Sequence, residues 1–150
     1  MISSAPIFTI RCELAHIVDL GPAPFGHRRV VNILGGSVTG AKLTGRVLPG
    51  GADWQIVAAD GCLDIHARYT IESDAGSLIQ VDSKGLRTGP PDVLARLGRG
   101  EDVDPSLYYF RTVMRFETAH PSTEWMNRIL AIAKGAREKN AVRLDVYEVL

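Results

Sequence analysis

Asp53 and Trp54 leave the run Leu48-Pro49-Gly50-Gly51-Ala52 together, a carboxylate and an indole next to a turn. Pro49 fixes φ and the glycines accept φ > 0, so the run reads as a rigid chain reversal between two strand-like stretches. Side chains presented from such a turn lose little ordering entropy when a ligand arrives, so this pair suits binding and proton transfer. The structural alternative is that Asp53 closes an Asx-turn and Trp54 plugs one end of a core. A second set lies in Leu107 to Thr118, where Tyr109, Arg111, Val113, Arg115 and Glu117 alternate onto one face. Arg111 and Glu117 offer a cation and a proton carrier, and they could equally pair with each other. A third lies in Cys62 to Glu72, where His66 and Arg68 fall on one face and Tyr69 on the other.

The elements that must hold these residues read as strands. Ile7 to Val18 mixes branched, aromatic and alternating polar residues. Gly21 to Arg29 carries two prolines and two glycines and reads as a loop. Val30 to Leu34 is a short apolar strand that Gly35-Gly36 breaks or bulges. Ser37 to Leu48 alternates, with Gly40 and Gly45 placed where a barrel corner bends or another backbone comes close.

Asp60-Gly61 is a hairpin signal between Trp54 to Ala58 and the Cys62 to Glu72 strand. In that strand Leu63, Ile65, Ala67, Tyr69 and Ile71 point one way and the polar set the other. The polar set faces water in an ordinary sheet, whereas in a barrel with a ligand cavity it can line the inside. Another hairpin falls at Ser73 to Gly76, and a turn at Lys84-Gly85. Pro91, Val93, Leu94, Leu97 and Gly98 specify a short helix over Asp92 to Leu97. Ser122 to Lys134 has the local pattern of a capped helix, against which stands a helical turn through Asn127 followed by a strand over Ile129 to Ala133. Gly135 to Ala141 then forms the turn, and Val142 to Val149 the last strand.

Composition narrows the function classes. A chain of 150 residues with 45% hydrophobic content is sized for one domain, residues 1–150. Its 17 basic and 17 acidic residues cancel, which leaves no field to gather nucleic acid or an anionic membrane. No signal-peptide pattern or 18-residue apolar stretch stands out, so the expected compartment is the cytoplasm. Cys12 and Cys62 lack the spacing of a zinc site or a disulfide framework, and His16, His27, His66 and His120 are scattered, so no metal is expected. No nucleophile elbow, phosphate loop or dinucleotide fingerprint is present, and the expectation is no cofactor.

An ordered series of blocks carries a resemblance. It runs through Gly35-Gly36 with Gly40, Gly45-Arg46-Val47-Leu48-Pro49-Gly50-Gly51-Ala52-Asp53-Trp54-Gln55, Ala67-Arg68-Tyr69, Gly85-Leu86-Arg87 and Gly89-Pro90-Pro91. It continues through Tyr108-Tyr109-Phe110-Arg111-Thr112, Arg115-Phe116-Glu117-Thr118, Trp125-Met126-Asn127 and Asp145-Val146-Tyr147. From about Phe8 to Val149 the sequence resembles the DUF3237 family, also labelled UPF0311. The resemblance implies a mainly β fold, a small closed antiparallel β-barrel, lipocalin- or streptavidin-like in outline, with one or two short helices. It also favours the turn-plus-strand reading of 122–134. Relatives tend to carry an acid just before Ala-Arg-Tyr, where this chain has His66.

The recurrent blocks supply Asp53, Trp54, Arg68, Tyr69, Arg111, Glu117, Trp125 and Asn127, with Tyr109 and His66 beside them. That set suits a small apolar or aromatic compound carrying an oxyanion, bound within the barrel. The leading expectation is cofactor-independent isomerase, cyclase or lyase chemistry, with Asp53 or Glu117 as general acid/base and Arg68 or Arg111 stabilising developing charge. Trp54, Tyr69, Tyr109, Trp125, Asn127 and His66 would then contact the substrate. The alternatives are a non-catalytic carrier barrel and an oligomeric structural protein in which the same charges form a buried ion network. Apolar residues on both faces of Leu107 to Thr118 are consistent with a homodimer.

Overall fold

Inward apolar residues at every second position make each long strand bury one face, and an antiparallel sheet meets that demand by curling until its edges join. A computed structural model describes residues 1–150 as such a closed antiparallel barrel. Its strands are β1 (Phe8–Leu14), β2 (Val18–Ala23), β3 (Gly26–Thr39), β4 (Gly45–Val47), β5 (Ala52–Val57), β6 (Leu63–Ser73), β7 (Leu78–Thr88), β8 (Tyr109–Thr118), β9 (Ala131–Glu138) and β10 (Ala141–Glu148). Around the ring the order is β1, β10, β9, β8, β7, β6, then β4 with β5, then β3, which pairs back onto β1. Because β4 and β5 share one place and β2 pairs only with β3, the ring has eight places.

One end of the barrel is filled. Phe8, Ile10, Ile71, Ile79, Val81 and Val146 are completely buried there, and the Phe8 and Phe116 rings meet edge to face with centroids 5.9 Å apart. A 3₁₀ segment over Pro121–Arg128 closes this end with buried Thr123 and Met126. Asn127 staples it to β8, accepting from Thr118 N–H at 2.8 Å and donating to Thr118 C=O at 2.9 Å. The strand β9 follows, so the stretch from Ser122 is a short helical turn and then a strand. The strand is longer than its local pattern suggests, however. It runs through Gly135 to Glu138, and the turn shrinks to Lys139-Asn140, with Asn140 at φ 56°.

At the other end sits helix α1 (Pro91–Gly98), begun by Pro91 and burying Val93 and Leu97, one turn apart on the same face. Arg137 Nη1 donates to Leu97 C=O at 2.9 Å and ties the helix to β9. A second 3₁₀ turn, Pro105–Leu107, is capped by Asp104, whose carboxylate accepts from Ser106 N–H at 2.9 Å. No helix is long and apolar enough to cross a membrane.

Three local expectations are corrected. Pro49-Gly50-Gly51 does not reverse the chain: β4 and β5 both run antiparallel to β3 and β6, so the run is a jog within one interrupted strand. The jog needs glycine, since Gly50 has φ 108° and a Cβ on Gly51 would lie 2.5 Å from that of Tyr69. Lys84-Gly85 is not a turn either, because β7 passes straight through it; Gly85 is required because a Cβ there would sit 2.0 Å from the Arg111 carbonyl oxygen of β8. The proline-rich Gly21 to Arg29 stretch is a hairpin of β2 with β3, tolerated because β2 is an edge strand that needs no second ladder partner. β3 does bulge beside Gly35-Gly36: the β1 register shifts between Glu13, opposite Gly35, and Leu14, opposite Ile33, leaving Leu34 as the extra residue.

Candidate ligand cavity

Between the packed end and α1 the barrel is hollow. The cavity has a volume of about 350 Å³ and is lined by apolar side chains including Leu14, Val31, Ile33, Leu63, Ile65, Leu97 and Phe110. Into this wall project Asp53, Gln55, Arg29, Arg87, Arg137, Tyr69, Cys12, Ser83, Thr112 and His16. Strand parity puts them there. In β7 Arg87 is in phase with Ile79, Val81 and Ser83; in β9 Arg137 is in phase with Ala131 and Ala133; in β3 Arg29 is in phase with Val31 and Ile33.

Asp53 and Gln55 are successive inward positions of β5. Asp53 Oδ2 accepts from Gln55 Nε2 at 2.7 Å, and its Oδ1 accepts from the His66 backbone N–H at 3.0 Å across the β5–β6 ladder. Gln55 Oε1 in turn accepts from Arg29 Nε and Nη2 at 3.1 and 2.7 Å. A guanidinium is therefore coupled to the carboxylate through one amide. Burial pushes the Asp53 carboxyl above its ordinary range, against the pull of the hydrogen bonds from Gln55 and His66. This is the environment of a carboxylate that takes up a proton more readily than a surface one.

Among the remaining polar groups, several can donate. Burial, reinforced by the neighbouring Cys12 thiol, holds the Tyr69 phenol well above its usual range, so it stays protonated, and its hydroxyl has the Cys12 thiol beside it but no nitrogen or oxygen partner within the protein. Thr112 Oγ1 and Arg87 Nε are likewise buried without a partner. Burial first, then the neighbouring Arg137 and Arg29 charges, bring Arg87 down to about 10, still cationic at neutral pH. The Cys12 thiol is pushed up to about 12 by burial, which leaves it an uncharged part of the wall. Three orphaned donors around one hollow are costly in a folded protein, at roughly 1–3 kcal/mol each, unless something else supplies acceptors.

Of the ten residues singled out from the sequence, Asp53 and Tyr69 line the cavity. Trp54 does not, because consecutive strand residues point to opposite faces and it stands 48% exposed outside the barrel. The same parity takes Arg68, Arg111, Tyr109 and Glu117 outward. Arg68 lies near Asp82 at 3.7 Å, Arg111 stacks over Tyr109 at 4.9 Å, and Glu117 is exposed. The His66 ring is also outside, 3.3 Å from Asp82, so only its backbone N–H reaches the site and its replacement of an acid leaves the cavity lining unchanged. Trp125 and Asn127 belong to the segment closing the packed end, where Lys42 Nζ lies 5.2 Å from the Trp125 ring centroid. Arg29, Gln55, Arg87, Thr112 and Arg137 were not anticipated, although each is a polar residue in phase with apolar neighbours of its own strand or of the strand across from it.

The whole-chain comparisons agree with this architecture. The profile of DUF3237, described as a protein of unknown function, matches residues 2–149. The chain belongs to the DUF3237 family. Among its relatives, the UPF0311 protein blr7842 of Bradyrhizobium diazoefficiens is 43% identical over 144 residues, covering 96% of this chain and 94% of the relative. The crystal structure of the conserved protein of unknown function RPA1785 from Rhodopseudomonas palustris superposes with a TM-score of 0.92 at 39% identity, over 100% of this chain and 98% of that one. A β-barrel-like protein from Acinetobacter baumannii AYE gives 0.85 at 40% identity, over 99% and 96%. A more distant chain, described as an enzyme from Penicillium herquei, shares the fold at a TM-score of 0.64 and 18% identity, over 99% and 97%.

Proposed function

We propose that the barrel binds a small apolar or aromatic oxygenated compound and moves a proton on it, as a cofactor-independent isomerase, cyclase or lyase. Asp53 acts as the general acid/base, and Tyr69 and Thr112 donate to the oxygen on which negative charge grows. The observation that carries this reading is that Tyr69 Oη, with only the weakly bonding Cys12 thiol beside it, and Thr112 Oγ1 are buried hydroxyls without a nitrogen or oxygen partner, in the same cavity as a buried carboxyl with a raised pKa. Donors of that kind are preorganised for an oxyanion and need no rearrangement as charge develops. An acid whose pKa is lifted by burial is nearer the range useful for proton transfer at neutral pH. Apolar walls exclude water and strengthen both effects. The sequence-level roles for Glu117, Arg68 and Arg111 do not enter this proposal, since none of them reaches the cavity. That a distant barrel of the same fold is described as an enzyme is compatible with catalysis here, at the level of fold alone.

A carrier role is the second reading. Both Asp53 oxygens already accept hydrogen bonds, which favours a carboxylate that orients rather than reacts.

A thermal-shift screen against small phenols, keto acids, terpenoid acids and fatty acids tests both. A ligand at about 100 times its dissociation constant adds roughly 2.7 kcal/mol and raises Tm visibly. Each hit is then incubated and followed for product with wild-type protein and with Asp53→Asn. Turnover lost in the variant supports the enzyme, and binding without conversion in either protein supports the carrier. No stabilisation by any class of compound would sink both.

A further inference from the structure

We infer that the ligand is a carboxylate, its anionic group held at the α1 end of the cavity by Arg87 and Arg137. The inference rests on the reading of the cavity as a small-molecule site and goes further by assigning the charge and class of the molecule.

The argument is one of unmatched charge. Three guanidiniums line the cavity, from Arg29, Arg87 and Arg137, against the single carboxylate of Asp53. Arg29 is already engaged through Gln55 with Asp53. Arg137 commits one nitrogen, Nη1, to Leu97 C=O at 2.9 Å, which fixes its guanidinium at the helix. Arg87 makes no hydrogen bond or ion pair, and its Nε is buried without a partner. Arg87 is partly buried, and a guanidinium whose Nε is buried and unpaired beside another of the same sign weakens a folded chain. No hydrogen bond or ion pair within the protein accounts for arginine at position 87, whereas binding an anion would.

The geometry of the fork narrows the anion. A guanidinium matches the two oxygens of a carboxylate in a plane, and two guanidiniums can share one such group. Arg87 sits directly across the ladder from Leu63 and Phe110, so the body next to the anionic group must be apolar. On β7 it lies four residues from Ser83, whose pairing partner Ala67 is also paired with Asp53. The anionic group is thus set apart from the place where Asp53 would move a proton. An aryl, terpenoid or alkyl carboxylic acid whose reacting atoms lie away from its carboxylate has this distribution of charge and apolar surface.

Isothermal titration with matched probes decides the matter: naphthalene-2-carboxylate, cinnamate and 4-phenylbutyrate, each against its primary amide, with wild-type protein, Arg87→Met, Arg87→Lys and Asp53→Asn. The expected result is that acids bind at least tenfold more tightly than amides to wild-type protein. That ratio should collapse in Arg87→Met, fall partway in Arg87→Lys, and hold or grow in Asp53→Asn, where a like charge has been removed. The ligand-free Arg87→Met protein should melt no lower than wild type, because no native partner is lost; a purely structural arginine would give a clear drop. Amides binding as tightly as acids, or an unchanged ratio in Arg87→Met, overturn this inference and leave the small-molecule reading standing. Failure of acids and amides alike overturns both.

Discussion

Gln55 holds Asp53 by a single hydrogen bond, Nε2 to Oδ2 at 2.7 Å, and its orientation is set from behind by Arg29, which donates twice to Oε1. The amide cannot flip without placing its NH₂ against a guanidinium. It therefore keeps a donor on Asp53 and restrains the rise that burial imposes on the carboxyl. Removing the amide with Gln55→Leu should move the Asp53 titration further up, and with it the acid limb of kcat/KM for a substrate on which Asp53 is the base. Carboxyl ¹³C NMR, with the Asp53 signal assigned by its loss in Asp53→Asn, measures this directly. A downward movement would mean that Arg29 swings onto the freed oxygen, and the amide bridge would lose its assigned role.

The same carboxyl makes stability depend on pH with a defined sign. The folded-state pKa of Asp53 lies above its ordinary 3.8, so the folded chain binds this proton more tightly than the unfolded chain. Its stabilising contribution is complete below the unfolded value and is lost as pH rises through the folded one. Asp53→Asn removes the titration, so the stability of the variant relative to wild type should improve between pH 3.5 and pH 8, read by urea midpoints at each pH. A difference independent of pH would show that burial does not raise the Asp53 carboxyl.

What was legible in the sequence was period; what was missed was phase. The alternation of Leu63, Ile65, Ala67, Tyr69 and Ile71 marks β6 and its inner face, and the ordered glycine blocks mark a closed barrel. Yet Arg68, Arg111 and Glu117 stand out as charges among β-prone residues, and each is one position out of step with the buried face. The informative charges were those in step with it, such as Arg87 after Ile79, Val81 and Ser83. Asp53 and Trp54 are adjacent in sequence, the one relation that a strand separates. The β4–β5 jog could not be read locally, because a jog and a reversal use the same Pro-Gly-Gly chemistry and differ only in which strands lie alongside.

Parity yields its own test. Glu117→Gln and Arg68→Gln alter exposed groups, and the Arg68 contact with Asp82 is long at 3.7 Å. Each should change stability by less than about 0.5 kcal/mol and leave ligand affinity within about twofold. Loss of binding on either substitution would place the site outside the barrel.

The two cysteines should differ in reactivity although Cys12 lines a cavity. With its thiol at about 12, Cys12 is thiolate in roughly one part in ten thousand at pH 8. Cys62 is half-exposed beside the β5–β6 turn. Iodoacetamide at pH 8 followed by peptide mass mapping should find label on Cys62 and almost none on Cys12. Rapid labelling of Cys12 in folded protein would mean that the β1 wall opens far more than its burial allows.

Gly85 tests the closure of the barrel itself. An alanine there would put Cβ 2.0 Å from the Arg111 carbonyl oxygen and 2.6 Å from the Thr112 Cα, and backbone atoms of a paired strand cannot yield as a side chain can. Because Gly85 pairs with Thr112 in the ladder between β7 and β8, the clash forces apart the strands that carry Arg87 and Thr112 into the cavity. Gly85→Ala should cost about 3 kcal/mol or more. Gly76→Ala serves as the comparison, since its φ of 88° disfavours alanine but a Cβ meets nothing within 4 Å, and its cost should stay near 1–2 kcal/mol. Urea denaturation of both variants gives the contrast. Equal costs would mean that the close approach of β7 to β8 is not what position 85 requires of its residue.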